Sequence, residues 1–265
     1  MNPLPGTPEA PAHLTEAHLD WTWEVAWQYG PPVVTYKISR GTGEERFLKV
    51  AREGGHPSLA AEAQRMSWAG DHLPVPSVLS HGSSDGIEWL LTPALPGVDA
   101  THADLSTDSR RLVGSLARGL RRFHEAEVDL CPFDFRLDTA LAHARSRGER
   151  GLIDPATDFH PEFSHLGVHE ALQTLERQMP QTEDLVVCHG DYCLPNVLLT
   201  DWEVTGFVDL GELGVADRWW DLAVATWSVT WNLGPGYEDL FLADYGVARD
   251  ESRVTFYRLL YDLVS

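Results

Sequence analysis

The sequence predicts an α+β fold of two unequal lobes, a small β-rich N-terminal lobe and a larger, mostly helical C-terminal lobe. Three observations carry that expectation. Residues 33–92 run strand, strand, Ala-rich helix, strand, strand, with Gly, Pro and Ser clusters at the joints. Beyond residue 97, apolar residues recur at helical spacing. Within that helical half, residues 185–209 form an island that reads strand, loop, hairpin. A chain of 265 residues with 43% apolar content can bury a core of this size.

Residues 1–20 are Pro-rich and acidic, with no basic stretch followed by an apolar run, so no signal peptide is expected. Residues 21–29 are rich in aromatics. Strands are expected over 33–39 and 45–50, turning at Gly41-Thr42-Gly43, and a helix over 58–69 carries Glu62. After Pro74-Val75-Pro76, residues 78–80 and 87–92 read as a hairpin that turns at 83–86. This is the layout of a kinase-like N-terminal lobe. Leu112, Leu116, Leu120 and Phe123 mark a helix over 109–126, and further helices are expected over 168–179, 217–231 and 253–263. The expected division is therefore an N-terminal segment 1–20, an N-terminal lobe 21–92, a hinge 93–97 and a C-terminal lobe 98–265. There is no internal repeat, and no apolar stretch is long enough to span a bilayer.

Acidic residues outnumber basic ones 40 to 20, a net charge of −20. Nucleic acid is thereby excluded as a partner, because phosphate neutralisation needs a basic footprint. The charge suits a cationic small molecule drawn in by the field, although a plain solubilising acidic surface is the commoner reason for such a balance. Three cysteines, an odd number, fit a reducing compartment, and the expected location is cytoplasmic. A monomer or weak dimer without a membrane partner is expected.

The chemistry concentrates in His189-Gly190-Asp191-Tyr192-Cys193-Leu194-Pro195-Asn196, followed by Val208-Asp209-Leu210-Gly211. An Asp, an amide five residues later and a second Asp after a hairpin are what phosphoryl transfer from a magnesium nucleotide requires. One carboxylate receives the acceptor's proton, and the Asn and second Asp hold the metal. Asp191 is thus the candidate base, and Asn196 and Asp209 are the candidate Mg2+ ligands. The spacing matches the protein-kinase pair H-R-D-L-x-x-x-N and D-F-G, but Gly190 stands where those enzymes have Arg. The bland alternative makes Asp191 and Asn196 turn residues. A metal-dependent hydrolase would need more ligand-spaced carboxylates and histidines than are present.

Lys37 and Lys49 are the only lysines among the 20 bases. Lys49 lies in the apolar run Phe47-Leu48-Lys49-Val50, where its charge must be paired. It is expected to hold the α- and β-phosphates of ATP or GTP in an ion pair with Glu62, which is otherwise a solvent-facing helix residue. Residues 92–97 either receive the adenine through the Pro93 carbonyl and Leu95 N–H or serve as an ordinary linker. Tyr29-Gly30-Pro31-Pro32 stands where a phosphate-covering loop belongs, and its prolines offer no N–H. His189 is expected to brace the loop, Asp217 to cap a helix and Asp221 to brace the catalytic loop, while Cys188 and Cys193 are expected to be small buried packing residues.

With these motifs placed, V-V-C-H-G-D-Y-C-L-P-N-V-L-L (186–199) and T-G-F-V-D-L-G-E-L-G-V-A-D-R-W-W-D-L-A (205–223) resemble the bacterial aminoglycoside phosphotransferases, especially the 3′-type. E-A-Q-R-M-S-W (62–68), L-P-G (95–97), C-P-F-D (131–134) and F-Y-R-L-L (256–260) extend the resemblance from about residue 21 to the end. It implies a eukaryotic-protein-kinase-like bilobal fold and ATP- or GTP-dependent phosphorylation of an aminoglycoside hydroxyl, most readily the 3′-hydroxyl, which confers resistance. It also implies that acids of the C-terminal lobe grip the drug's amines, here Asp154, Asp158, Glu162 and Asp262. Three positions depart from the family pattern around the acceptor pocket. Glu212 replaces an Arg, and Trp227 and Trp231 lie where relatives place charged residues. The tryptophans, four apart on a helix, are either core or a stacking wall for a sugar ring. The rival readings are a kinase of another small hydroxyl compound and a nucleotide-binding relative with weak or no catalysis. No covalent phosphoenzyme is expected.

Overall fold

The computed structural model describes residues 4–29, 33–41, 43–55 and 57–264, so the Pro31-Pro32 loop lies outside the described residues. Contacts group the chain into two units. The first comprises Met1–Pro96 with Gly206–Gly211, and the second Gly97–Thr205 with Glu212–Ser265.

Period-two patterning builds the first unit. A short helix, α1 (Ala12–Ala17), precedes β1 (Thr22–Tyr29), β2 (Val33–Arg40) and β3 (Glu44–Arg52). Then come α2 (Leu59–Ala69), β4 (Ser80–Ser84) and β5 (Ile87–Pro93). The five strands form one antiparallel sheet in the order β1-β2-β3-β5-β4. One face is apolar, with Val34, Ile38, Leu48, Val50 and Leu91 packed under Leu14 and Trp21. Lys49 sits between Leu48 and Val50, so strand alternation turns it to the other face. The Ser58 hydroxyl caps α2 by accepting the Ala61 N–H, and α2 buries Leu59, Glu62, Ala63, Met66 and Ala69.

Two differences from expectation have physical reasons. Residues 21–29 had no element assigned, yet Trp23, Val25 and Trp27 alternate with Glu24, Ala26 and Gln28, a strand pattern at the sheet edge. The fourth strand lies at Ser80–Ser84 rather than 78–80, because its residues are polar and it pairs on one side only.

The second unit is mostly helical. In order it contains β6 (Val98–Asp99), α3 (Ala103–Ser106), α4 (Ser109–Phe123), α5 (Leu137–Glu149), α6 (Val168–Gln178), β7 (Leu185–Cys188) and β8 (Val197–Thr200). β9 (Glu203–Phe207), β10 (Gly214–Asp217), α7 (Trp219–Leu233), α8 (Glu238–Tyr245) and α9 (Glu251–Val264) follow. The expected apolar stripe on α4 is its core face, with Leu112, Leu116, Leu120 and Phe123 all buried. α5 and α8 had no expected counterpart. The strand–loop–hairpin island appears as β7, the loop 189–196, and the β8–β9 hairpin turning at Asp201 and Trp202, both with positive φ. The β-rich first unit and helical second unit are the α+β division that the sequence predicts. Among the described residues, no helix is long and apolar enough to cross a membrane.

Candidate active site

In the first unit, three charges meet on the α2 face of the sheet. Lys49 Nζ donates to Glu62 Oε2 at 2.9 Å and to Asp209 Oδ1 at 2.7 Å. The Glu62 side chain is 4% exposed, so the alternative of a solvent-facing Glu62 is excluded. Burial works against the Lys49 ammonium, but Asp209 and Glu62 outweigh it and hold its pKa above the ordinary range. Burial raises the Glu62 carboxyl above its ordinary range, and Lys49 offsets that rise only in part. The lysine therefore stays cationic. Asp209 adopts φ 63° on the segment leading out of β9, an uncommon conformation for a non-glycine residue. Gly211, two residues on, lies so close to the Pro57 ring that no side chain fits there.

In the second unit, the loop 189–196 presents Asp191. Its backbone is anchored from several sides. On α7, Asp221 accepts the N–H groups of His189 at 2.6 Å and Gly190 at 2.9 Å, Trp220 Nε1 donates to the Gly190 carbonyl, and Ser228 Oγ accepts the Leu194 N–H. The Tyr192 hydroxyl donates to the Leu116 carbonyl on α4. Gly190 has φ 91°, and a Cβ there would lie 2.5 Å from Glu212 Cβ and 2.6 Å from its carbonyl oxygen. That close approach explains why glycine fills the position where protein kinases have Arg.

The Asp191 carboxylate is half-buried and well furnished with donors. Asn196 Nδ2 donates to Oδ2 at 2.8 Å and to the Asp191 carbonyl at 3.0 Å, leaving Asn196 Oδ1 as the amide's acceptor atom. His189 Nδ1 accepts the Asp191 N–H at 3.2 Å, the bracing role expected of it. Cys193 differs from expectation. It is half-buried, and its thiol donates to Asp191 Oδ1.

Asp221 braces the loop as expected, and it also orders a chain behind it. Arg218 donates to the Tyr245 hydroxyl, which donates to His124 Nδ1, and His124 Nε2–H donates to Asp221. Cys188 joins His124 and Asp221 in a cluster of metal-ligand type. Burial, followed by Asp221 and Asp217, pushes its thiol pKa well up, and its Sγ–H donates to the Asp217 carbonyl. His124, Cys188 and Asp221 are each engaged in the hydrogen bonds named here. Asp217 accepts the Trp219 N–H at the start of α7 and pairs with Arg253.

The acids named for the drug's amines lie in the second unit in different settings. Asp154 is exposed, and Asp158 accepts the Asp154 N–H and the Thr157 hydroxyl. Glu162 Oε2 accepts from Trp227 Nε1 at 3.2 Å and lies 3.7 Å from Arg258. Asp262 is buried, and its two oxygens accept the His160 backbone N–H and ring Nδ1–H, so an amine in solvent has no access to it. Glu212 is half-buried against Gly190. The two tryptophans separate. Trp227 is core, whereas Trp231 is 48% exposed and lies parallel to the His160 ring at 4.6 Å. After β5, the Ala94 N–H donates to the Glu45 carbonyl beside Pro93, and the Leu95 N–H has no partner among the described residues.

Sequence reasoning missed Tyr261, whose hydroxyl donates to Asp191 Oδ1 at 3.0 Å, and His160 on Asp262. Neither belongs to a local motif. Tyr261 reaches Asp191 across 70 residues of chain, and only the packing of α9 brings it there.

Residues 33–257 match the phosphotransferase enzyme family. The aminoglycoside 3′-phosphotransferase of Streptomyces fradiae is 40% identical over 228 residues, covering 82% of this chain and 84% of that one. The crystal structure of aminoglycoside-3′-phosphotransferase of type VIII superposes with a TM-score of 0.86 at 33% identity, covering 95% and 96% of the two chains. Aminoglycoside phosphotransferase APH(3″)-Id from Streptomyces rimosus, in complex with ADP and streptomycin, superposes with a TM-score of 0.78 at 30% identity, covering 96% and 98%.

Proposed function

The chain belongs to the phosphotransferase enzyme family and has its protein-kinase-like α+β fold, and from that premise we propose that it phosphorylates aminoglycoside antibiotics and confers resistance to them. The γ-phosphoryl group of ATP or GTP is transferred to a hydroxyl, the 3′-hydroxyl by analogy with the Streptomyces fradiae relative. The observation that carries this reading is Asp191, a half-buried carboxylate at the tip of an anchored loop, with a direction of Oδ2 open to an acceptor.

Lys49, kept cationic by Glu62 and Asp209, binds phosphate oxygens. Asn196, through Oδ1, and Asp209 would hold magnesium, which takes few protein oxygens and would neutralise phosphate charge when bound. The Leu95 N–H and Pro93 carbonyl receive the base. Asp191 orients the acceptor hydroxyl and takes its proton as the oxygen bonds to the γ-phosphorus and the bond to the β-phosphate oxygen breaks, releasing the nucleoside diphosphate. The exposed Asp154, with Asp158, Glu162 and Glu212, draws the drug's amines, and the free face of Trp231 packs on a sugar ring. Asp262 acts at one remove, by holding His160 against Trp231.

Nucleoside diphosphate release with kanamycin-, neomycin- and streptomycin-type acceptors, followed by locating the phosphate on the product, tests the reading. Asp191→Ala is expected to lose at least about a hundredfold in kcat and to keep its nucleotide affinity. Near-normal turnover in that variant removes the base assignment, and a wild-type enzyme inert towards every aminoglycoside removes the function.

A further inference from the structure

An ionised carboxylate offers about four lone-pair directions. On Asp191, Oδ1 receives the Tyr261 hydroxyl at 3.0 Å and the Cys193 thiol at 3.0 Å, and Oδ2 receives Asn196 Nδ2 at 2.8 Å. Oδ1 is therefore filled, and one direction on Oδ2 remains. Two of the three donors, Asn196 and Cys193, ride on the same loop as Asp191 and move with it. Tyr261 alone comes from another element. Its helix, α9, is firmly seated. Leu259, Leu260, Asp262, Leu263 and Val264 around it are buried, and Asp262 is tied to His160.

Building on the base assignment above, we propose that Tyr261 is a positioning residue for Asp191. Its hydroxyl pins Oδ1 so that the single open direction on Oδ2 points to the acceptor hydroxyl. The thiol is a weak donor and does not hold the carboxylate rotation by itself. Tyr261 keeps its proton throughout, and the acceptor's proton goes to Oδ2.

Tyr261→Phe keeps the ring and the helix packing and removes only the hydroxyl. Its kcat for aminoglycoside-dependent diphosphate release is expected to fall about tenfold, the scale of one hydrogen bond to a charged group, with both KM values within about twofold of wild type. A purely structural defect would lower the amount of active enzyme, not kcat per active site counted by nucleotide titration. An unchanged kcat overturns the proposal. A second measurement needs no turnover: urea unfolding of Tyr261→Phe, Asp191→Ala and the double variant. Coupling is expected as a non-additivity of at least about twofold in the unfolding constant. Additive effects overturn the proposal. The cycle also separates this proposal from the functional reading, which fails instead when the wild-type enzyme releases no diphosphate with any aminoglycoside.

Discussion

Gly190 shows how much a single backbone position controls. Its φ of 91° lies where a Cβ is strained, and the nearest atoms to that Cβ would be the backbone and Cβ of Glu212, which cannot yield as a flexible side-chain end would. Gly190→Ala should therefore lower stability by about 1–3 kcal/mol, measurable as a drop in the urea midpoint with an unchanged slope. It should also lower turnover, because the displaced atoms adjoin Asp191. A midpoint equal to wild type would show that the loop accommodates the methyl group and that the glycine has another role. The lysine site works by different physics. Lys49 is costly to bury alone, and two carboxylates, one from α2 and one from the segment after β9, keep it charged.

At the level of elements, α7 is the support on which the loop 189–196 rests. Its Asp221 accepts two loop N–H groups and the His124 ring, all in the interior. Asp221→Ala leaves those three donors unpaired, at about 1–3 kcal/mol for each buried group, so a total of at least about 3 kcal/mol is expected. Thermal or urea unfolding reads the loss. A change under about 0.5 kcal/mol would mean that water replaces the carboxylate without cost, and that Asp221 is not the anchor of the loop. α9 has the matching role towards the side chains. Through Tyr261 it reaches Asp191, and through Asp262 it holds the His160 ring beside Trp231. Consecutive residues of one helix thus hold the Asp191 carboxylate and the His160 ring.

For the whole molecule, the net charge of −20 bears on encounter with the drug. A polycation approaching an acidic protein is attracted over distances set by the Debye length, about 10 Å at 0.1 M salt and shorter above it. The KM for the aminoglycoside should then rise at least about threefold between about 0.05 and 0.5 M potassium chloride, with the nucleotide KM changing less. A flat aminoglycoside KM across that range would assign the acidic excess to solubility alone.

The sequence by itself determined whatever rests on local periodicity and fixed spacing. The α4 stripe, the strands flanking Lys49 and the run from His189 to Gly211 are legible because a few consecutive residues specify both backbone and chemistry. The kinase-like reading came from that run, and the family from the longer segments around it. Tertiary structure alone decided the partners. Asp262 is closed to solvent by His160, Trp227 is core while Trp231 is exposed, and Tyr261 reaches Asp191. These outcomes depend on which helix packs against which loop. That is a balance of burial summed over many distant residues, and no short window of sequence contains it.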